Sequence, residues 1–188
     1  MSFARSYIRT VDAVNFRIGR IMMYGIFVMG GILLWSSISK TFFNPSLWTL
    51  EMAQFAMVTY YIMGGPYSIQ LGANVRMDLF YAEWSDHRKA QVDAITVLML
   101  IFYLGVLLYG ALSSTAYSLG HYQNEPFRFY WGLLTGTEEI GRLEHSATAW
   151  RPVIWPIKIV MVFGFFLMLL QAISELLKDL IRIKGGTV

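Results

Sequence analysis

Glu51 and Lys158 are ionisable residues standing at the edges of apolar runs, and histidines occur at positions 87, 121 and 145. A carboxylate at a helix opening suits an ion or a proton. It suits equally the anion-favouring first turn, where it caps the helix or pairs with a neighbour, and that second reading is preferred. The histidines all fall in loops. A bis-imidazole haem site needs them on helices facing a bundle interior, so they are read as solvated. The chain has no cysteine, which removes thiol–disulfide chemistry, thiolate metal sites and Fe–S clusters together. No phosphate loop, metal cluster or nucleophile–base pair is legible, and a membrane enzyme is the least favoured class.

The stretch YYIMGGPYSIQLG, residues 60–72, holds the other chemical signal. Pro66 cannot donate to the carbonyl of Ile62, and Gly64 with Gly65 adds freedom, which predicts a kink. Breaks of this kind frame substrate sites in transporters. Gly64, Ser68 and Gly72 also lie four apart and form a small-residue face for close helix approach. No charge accompanies the break, so packing is the preferred reading. Tyr109, Gly110, Ser113 and Ser114 offer a similar polar, small face.

The elements that carry these residues are membrane helices. Of 188 residues, 56% are hydrophobic and 14% charged, where soluble domains run about 25% charged. Runs free of formal charge are Ile21–Ser39, Met52–Val75, Ala94–Gly120 and Ile159–Ser174. A spanning helix needs about 20 apolar residues, and lipid demands that backbone groups be satisfied within each segment. The expectation is an all-α integral membrane protein with a single membrane domain and four transmembrane helices, at 18–40, 49–73, 92–119 and 153–178. The first run is too long for a signal-peptide core and is kept as a helix of the mature protein.

Ten Lys and Arg fall in the N-terminal tail, the 74–91 loop and the C-terminal tail, against four in the other two loops (Lys40, Arg128, Arg142 and Arg151). Positive charge stays inside, so both termini and the 74–91 loop are expected in the cytoplasm, and the 120–152 loop in the periplasm. Within residues 1–20, Phe3, Tyr7, Ile8, Val11, Val14 and Ile18 recur at near-helical spacing between arginines. That pattern describes either an amphipathic helix on the anionic inner leaflet or an ordinary tail continuing into the first span. The fourth helix opens with Trp150 and Trp155 as an aromatic belt, Pro152 and Pro156 in its first turn, and Lys158 lifting its ammonium to the interface. In the 74–91 loop, Phe80, Tyr81 and Trp84 suggest a segment lying on the membrane or on a protein. The long outer loop reads as a cap on the bundle or a docking surface.

Taken in order, Trp48 and Glu51 opening the second helix, GANVRMDLFY closing it, Asp93 entering the third and WRPVIWPIK opening the fourth resemble the small membrane subunit of TRAP (tripartite ATP-independent periplasmic) transporters, the DctQ type. The last motif looks like the longer-looped branch. His is more usual in that family where Asn74 stands here, which speaks against proton handling and for a structural role. The resemblance implies a bacterial inner-membrane scaffold subunit without a substrate, metal or cofactor site of its own. Sodium and an organic acid would be handled by a large multi-helix partner, with delivery by a periplasmic substrate-binding protein and no nucleic acid involved. Trp48, Glu51, Gly64, Ser68, Gly72, Arg76, Asp78, Trp150, Trp155 and Lys158 are then the candidate anchor and subunit-interface residues. The competing reading is a self-sufficient homo-oligomeric channel or carrier, lined by Tyr60, Ser68 and Gln70.

Overall fold

The computed structural model describes residues 2–72, 86–123 and 125–183. Six helices occupy them: α1 (Ser2–Met22), α2 (Gly25–Phe42), α3 (Thr49–Gln70), α4 (Asp86–Ser118), α5 (Pro126–Thr135) and α6 (Trp155–Ile183). Among the described residues, 4–42, 91–118 and 155–183 are long and apolar enough to cross a membrane. The 22 residues of α3 span about 33 Å but are less apolar. This helix is flanked by α1, α2 and α6, and a helix screened by protein can carry Tyr, Gln and Ser where a lipid-facing one cannot.

The first expected span, 18–40, is two helices. A tight turn at Met23–Tyr24 separates them, with Tyr24 N donating to Ile21 O at 3.1 Å and Phe27 N to Tyr24 O at 3.1 Å. Downstream of this turn α2 leans mainly on α3 and exposes Phe27, Val28, Leu34 and Trp35. Upstream, α1 packs against both α3 and α6. It is a member of the bundle, not a free interfacial helix. Its inward face runs through Ile8, Asn15 and Gly19, while Val14, counted with the apolar stripe, lies outside. The arginines at 5, 9, 17 and 20 stay on the exposed side.

The most extensive pairing is α4 on α6, followed by α3 on α6. Buried positions of α6 include Gly164, Leu167, Gln171 and Ser174, a spacing of three and four that keeps one seam on its neighbours. Helix α3 continues through Pro66, which is itself buried. Opposite the carbonyl that Pro66 leaves without its helical donor stands Gly164, where an added Cβ would meet Ile62 O at 3.2 Å and run into Ile62 Cγ2. A glycine there lets two backbones touch.

The small residues expected to pack against helices of this chain or of a partner do not all do so within this chain. A Cβ at Gly64 or Gly110 would enter open space, and Gly72 ends α3 with a φ of 61°. Close approach falls one residue round from Gly64, at Gly65 against Met168, and at Gly19 against Tyr67. On α4 the inward face is Leu104, Ala111, Thr115 and Ser118 rather than Tyr109 and Gly110.

The 120–152 loop is built. It holds α5, capped by Gly136 in the left-handed conformation, whose φ of 72° suits a residue without Cβ. Phe129 of α5 is buried with Ala116 and Leu119 of the α4 end, and Tyr130, Leu143 and Trp155 pack around them. Gly120, at φ 92°, crosses Gly141 so closely that a Cβ would stand 2.6 Å from Gly141 Cα. Gly120→Ala should therefore detach the loop at a cost of about 1–3 kcal/mol, visible as proteolysis of the 136–150 segment in detergent at temperatures where the parent resists.

Candidate functional site: polar ties at the two ends of the bundle

Where α1 crosses the C-terminal half of α6, the two helices meet through a buried polar cluster. Lys178 Nζ lies 2.7 Å from Asp12 Oδ2 and 2.7 Å from Glu175 Oε1. Gln171 Nε2 donates to Asp12 Oδ1 (3.0 Å) and Glu175 Oε1 (2.9 Å), and Ser174 Oγ donates to Asp12 Oδ1 (3.0 Å). Asn15 Nδ2 donates to Gln171 Oε1 at 2.7 Å. Tyr7 OH donates to Leu170 O, and Gln70 Nε2 of α3 reaches Asp12 O at 3.3 Å. Three helices thus meet at Asp12, α6 through its carboxylate and α3 through its backbone carbonyl.

Sequence reasoning missed this cluster because it took residues 1–20 as an interfacial segment or a tail. The signal was available. Ile8, Asp12, Asn15 and Gly19 fall at spacings of four and three, as do Gln171, Ser174 and Lys178. Polar side chains on a seam of that period, on two helices, need each other.

Toward the other end of α6, the 120–152 loop is tied down. Glu144 backbone N donates to Ser118 O (3.1 Å) and Gly141 N to Leu119 O (2.9 Å), while Ile154 N donates to Glu144 O (3.2 Å). Lys158 Nζ sits 2.7 Å from Glu144 Oε2 and donates to Ser114 O at 3.2 Å; Ser118 Oγ donates to the same carboxylate oxygen. Lys158 is therefore not the snorkelling residue expected. Its ammonium finds a carboxylate within the protein, which satisfies it better than headgroup water. Glu51, only 3% exposed, accepts from Ser146 Oγ at 3.2 Å. It pairs α3 with the loop rather than with another helix. Between α2 and α3, Ser36, Ser39, Ser46 and Thr49 form a chain of hydroxyl contacts of 3.0–3.2 Å that closes the hairpin.

Lys158 and, after it, Ser118 hold the Glu144 carboxyl below its ordinary value. A depressed carboxylate stabilises the fold fully above its unfolded value and loses that contribution as pH falls through the lowered one. The loop is expected to loosen below about pH 4, followed by intrinsic fluorescence, whereas Glu144→Gln should show no such transition and start from a looser cap at neutral pH.

The other candidate residues scatter. Trp155 packs on the Phe129 cluster, Trp150 is 41% exposed, and Trp48 precedes α3 at the surface. Gly64 and Ser68 line an open groove of about 390 Å³ with Tyr61 and Leu71. His121 is not solvated, since its ring stacks on Phe129 with centroids 4.6 Å apart. Among the described residues, no group of three or more His, Asp or Glu is placed to hold a metal ion. Asn74, Arg76 and Asp78, with the aromatics at 80, 81 and 84, lie outside the described residues.

Long apolar helices joined by buried polar ties, with a structured 120–152 loop, describe a helical membrane protein. The sequence matches the family model for the DctQ component of tripartite ATP-independent periplasmic transporters over residues 29–182. The chain belongs to the DctQ family. That match takes in 154 of 188 residues (182 − 29 + 1), covering α2 from Met29 onward and every later helix almost to the end of α6. Searches of curated proteins and of solved structures match nothing. As a DctQ protein it is a membrane transporter component. The Asp12–Lys178 tie draws on α1, which precedes the matched region.

Proposed function

We propose that this DctQ protein is the stationary scaffold of a sodium-coupled importer of an organic acid in a bacterial inner membrane. It holds a large elevator-type subunit at fixed depth and leaves substrate and sodium to that partner. In this reading α3 crosses the membrane as a fourth span, both termini face the cytoplasm, and α5 lies on the periplasmic side. The observation that carries it is the locking of both bundle ends. Asp12, Gln171 and Lys178 close one end, Glu144, Lys158 and Glu51 the other, which suits a part that must not move.

The groove at Gly64 and Ser68, beside the lipid-facing flank of α2, is the proposed seat of the large subunit. The exposed polar face of the cap is the proposed seat of the periplasmic binding protein. There Arg142, His145 and Arg151 border a shallow cavity of about 600 Å³, and Arg151 is held at a φ of 49°. The test is affinity purification from the native host. A stoichiometric large polytopic protein is expected with the tagged chain and should be lost with Gly64→Leu, although the variant chain itself melts normally. A stable homo-oligomer that conducts solute in liposomes would overturn the scaffold reading. Arg142→Glu with Arg151→Glu should lower uptake without lowering the yield of the membrane complex; unchanged uptake would remove the cap from the docking assignment.

A further inference from the structure

Helix α5 places Pro126, Phe129 and Gly132 inward. Its outward side carries Phe127, Trp131 and Leu134, exposed by 65%, 70% and 82%. They stand at i, i+4 and i+7, one stripe of a helix. Arg128 and Thr135 flank this stripe on one side, and Arg128 pairs with Glu125 at 3.4 Å. Short loop helices in water do not keep three large apolar side chains outward without something to cover them.

The contacts of α5 with α4 give its depth. The rings of Phe127 and Tyr109 lie 6.1 Å apart, and Tyr130 OH donates to Leu112 O at 2.9 Å. Tyr109 and Leu112 precede the α4 end at Ser118 by nine and six residues, about 13 Å and 9 Å along the helix. The chain therefore leaves α4, turns at Gly120 and descends again beside it, deepest at Phe127. The 28 residues of 91–118 make about 42 Å of helix, roughly 12 Å more than a hydrocarbon core of about 30 Å. Placed at the Ser118 end, that surplus runs alongside α5 and sets the helix level with the boundary between acyl chains and headgroups. Its outward stripe continues the exposed face of α4, where Phe102, Tyr103 and Val106 also look out.

From this juxtaposition we infer that α5 is a re-entrant interfacial helix whose Phe127–Trp131–Leu134 stripe inserts into lipid at the headgroup–acyl boundary. A tryptophan between two apolar residues, with an ion-paired arginine on the flank, matches what such a helix needs at that depth. The cap then has two faces, one polar and turned to water, one apolar and seated in the bilayer. Through Tyr130 and Phe129 the seated face fixes how far the α4 end rises from the membrane. The inference holds for whichever leaflet meets that end; with the orientation proposed above it is the outer one.

The absence of cysteine makes the test direct. Phe127→Cys, Trp131→Cys and Leu134→Cys each carry a single nitroxide in full-length protein, placed in nanodiscs of phosphatidylethanolamine and phosphatidylglycerol. Collision with oxygen, which concentrates in the acyl region, is compared with collision with a water-soluble nickel chelate. Phe102→Cys serves as the mid-bilayer reference and Glu139→Cys as the aqueous one. All three stripe positions are expected to lose nickel collision relative to Glu139→Cys and to fall between the two references. Retention of that behaviour after assembly with the large membrane partner is also expected. Nickel collision equal to that at Glu139→Cys would overturn the proposal, as would loss of both collisions once the partner is bound, which would make the stripe a protein interface. Leu134→Cys, the most exposed position, reads the depth even if Trp131→Cys folds poorly.

Discussion

Lys178→Met is expected to lower the stability of the bundle by about 3 kcal/mol, the lower end of what removing one partner of a buried ion pair costs. Among the described residues Lys178 is the cation ion-paired with both Asp12 and Glu175, and these three charged side chains are 12–22% exposed. Without it, two carboxylates share a poorly hydrated seam, and Gln171 and Ser174 supply only neutral donors. Helix α1 should come away first, since Tyr7, Asn15 and Asp12 all bond into α6. Thermal unfolding in mild detergent reads the loss, and a thiol introduced at Ala13 on the exposed face reads nothing. A thiol at Ile8, which is 5% exposed, should become reactive. Asp12→Asn in the Lys178→Met background should recover part of the loss, because the amide keeps an oxygen for Ser174 while removing one negative charge. A double variant no more stable than Lys178→Met would mean that repulsion between the two carboxylates does not set the hold on α1.

The second large effect concerns Gly164. A leucine there would drive its side chain into Ile62 and separate α6 from α3, at about 3 kcal/mol for overpacking at a site with no room to relax. Gly164→Ala should already be destabilising, because even a Cβ meets Ile62 Cγ2 and stands 3.2 Å from Ile62 O. The contrast with Gly64→Leu is the informative one, since that side chain points into open groove. Equal thermal losses for the two variants would contradict the packing described for α3. Loss of the large partner with Gly64→Leu, at unchanged melting, would separate an external interface from an internal one.

Membrane class and helical character followed from the sequence alone. Runs such as Ala94–Gly120 are too long and too poor in charge for any other solvent, and lipid admits little but helix for an isolated segment. The family was likewise readable from Trp48, Glu51 and WRPVIWPIK in order. What only the tertiary structure decided is where polar residues end up, because hydropathy says how much of a residue type a segment holds but not which neighbour it meets. Lys158 read as a snorkelling anchor, but Glu144, fourteen residues earlier, is folded back to within 2.7 Å of it. Residues 1–20 read as a surface helix or a tail, yet their polar stripe matches that of a helix more than 150 positions away. Gly64 read as a packing glycine, and the choice between it and Gly65 turned on the rotation of α3 about its own axis. Periodicity leaves that rotation free until a partner helix is in place.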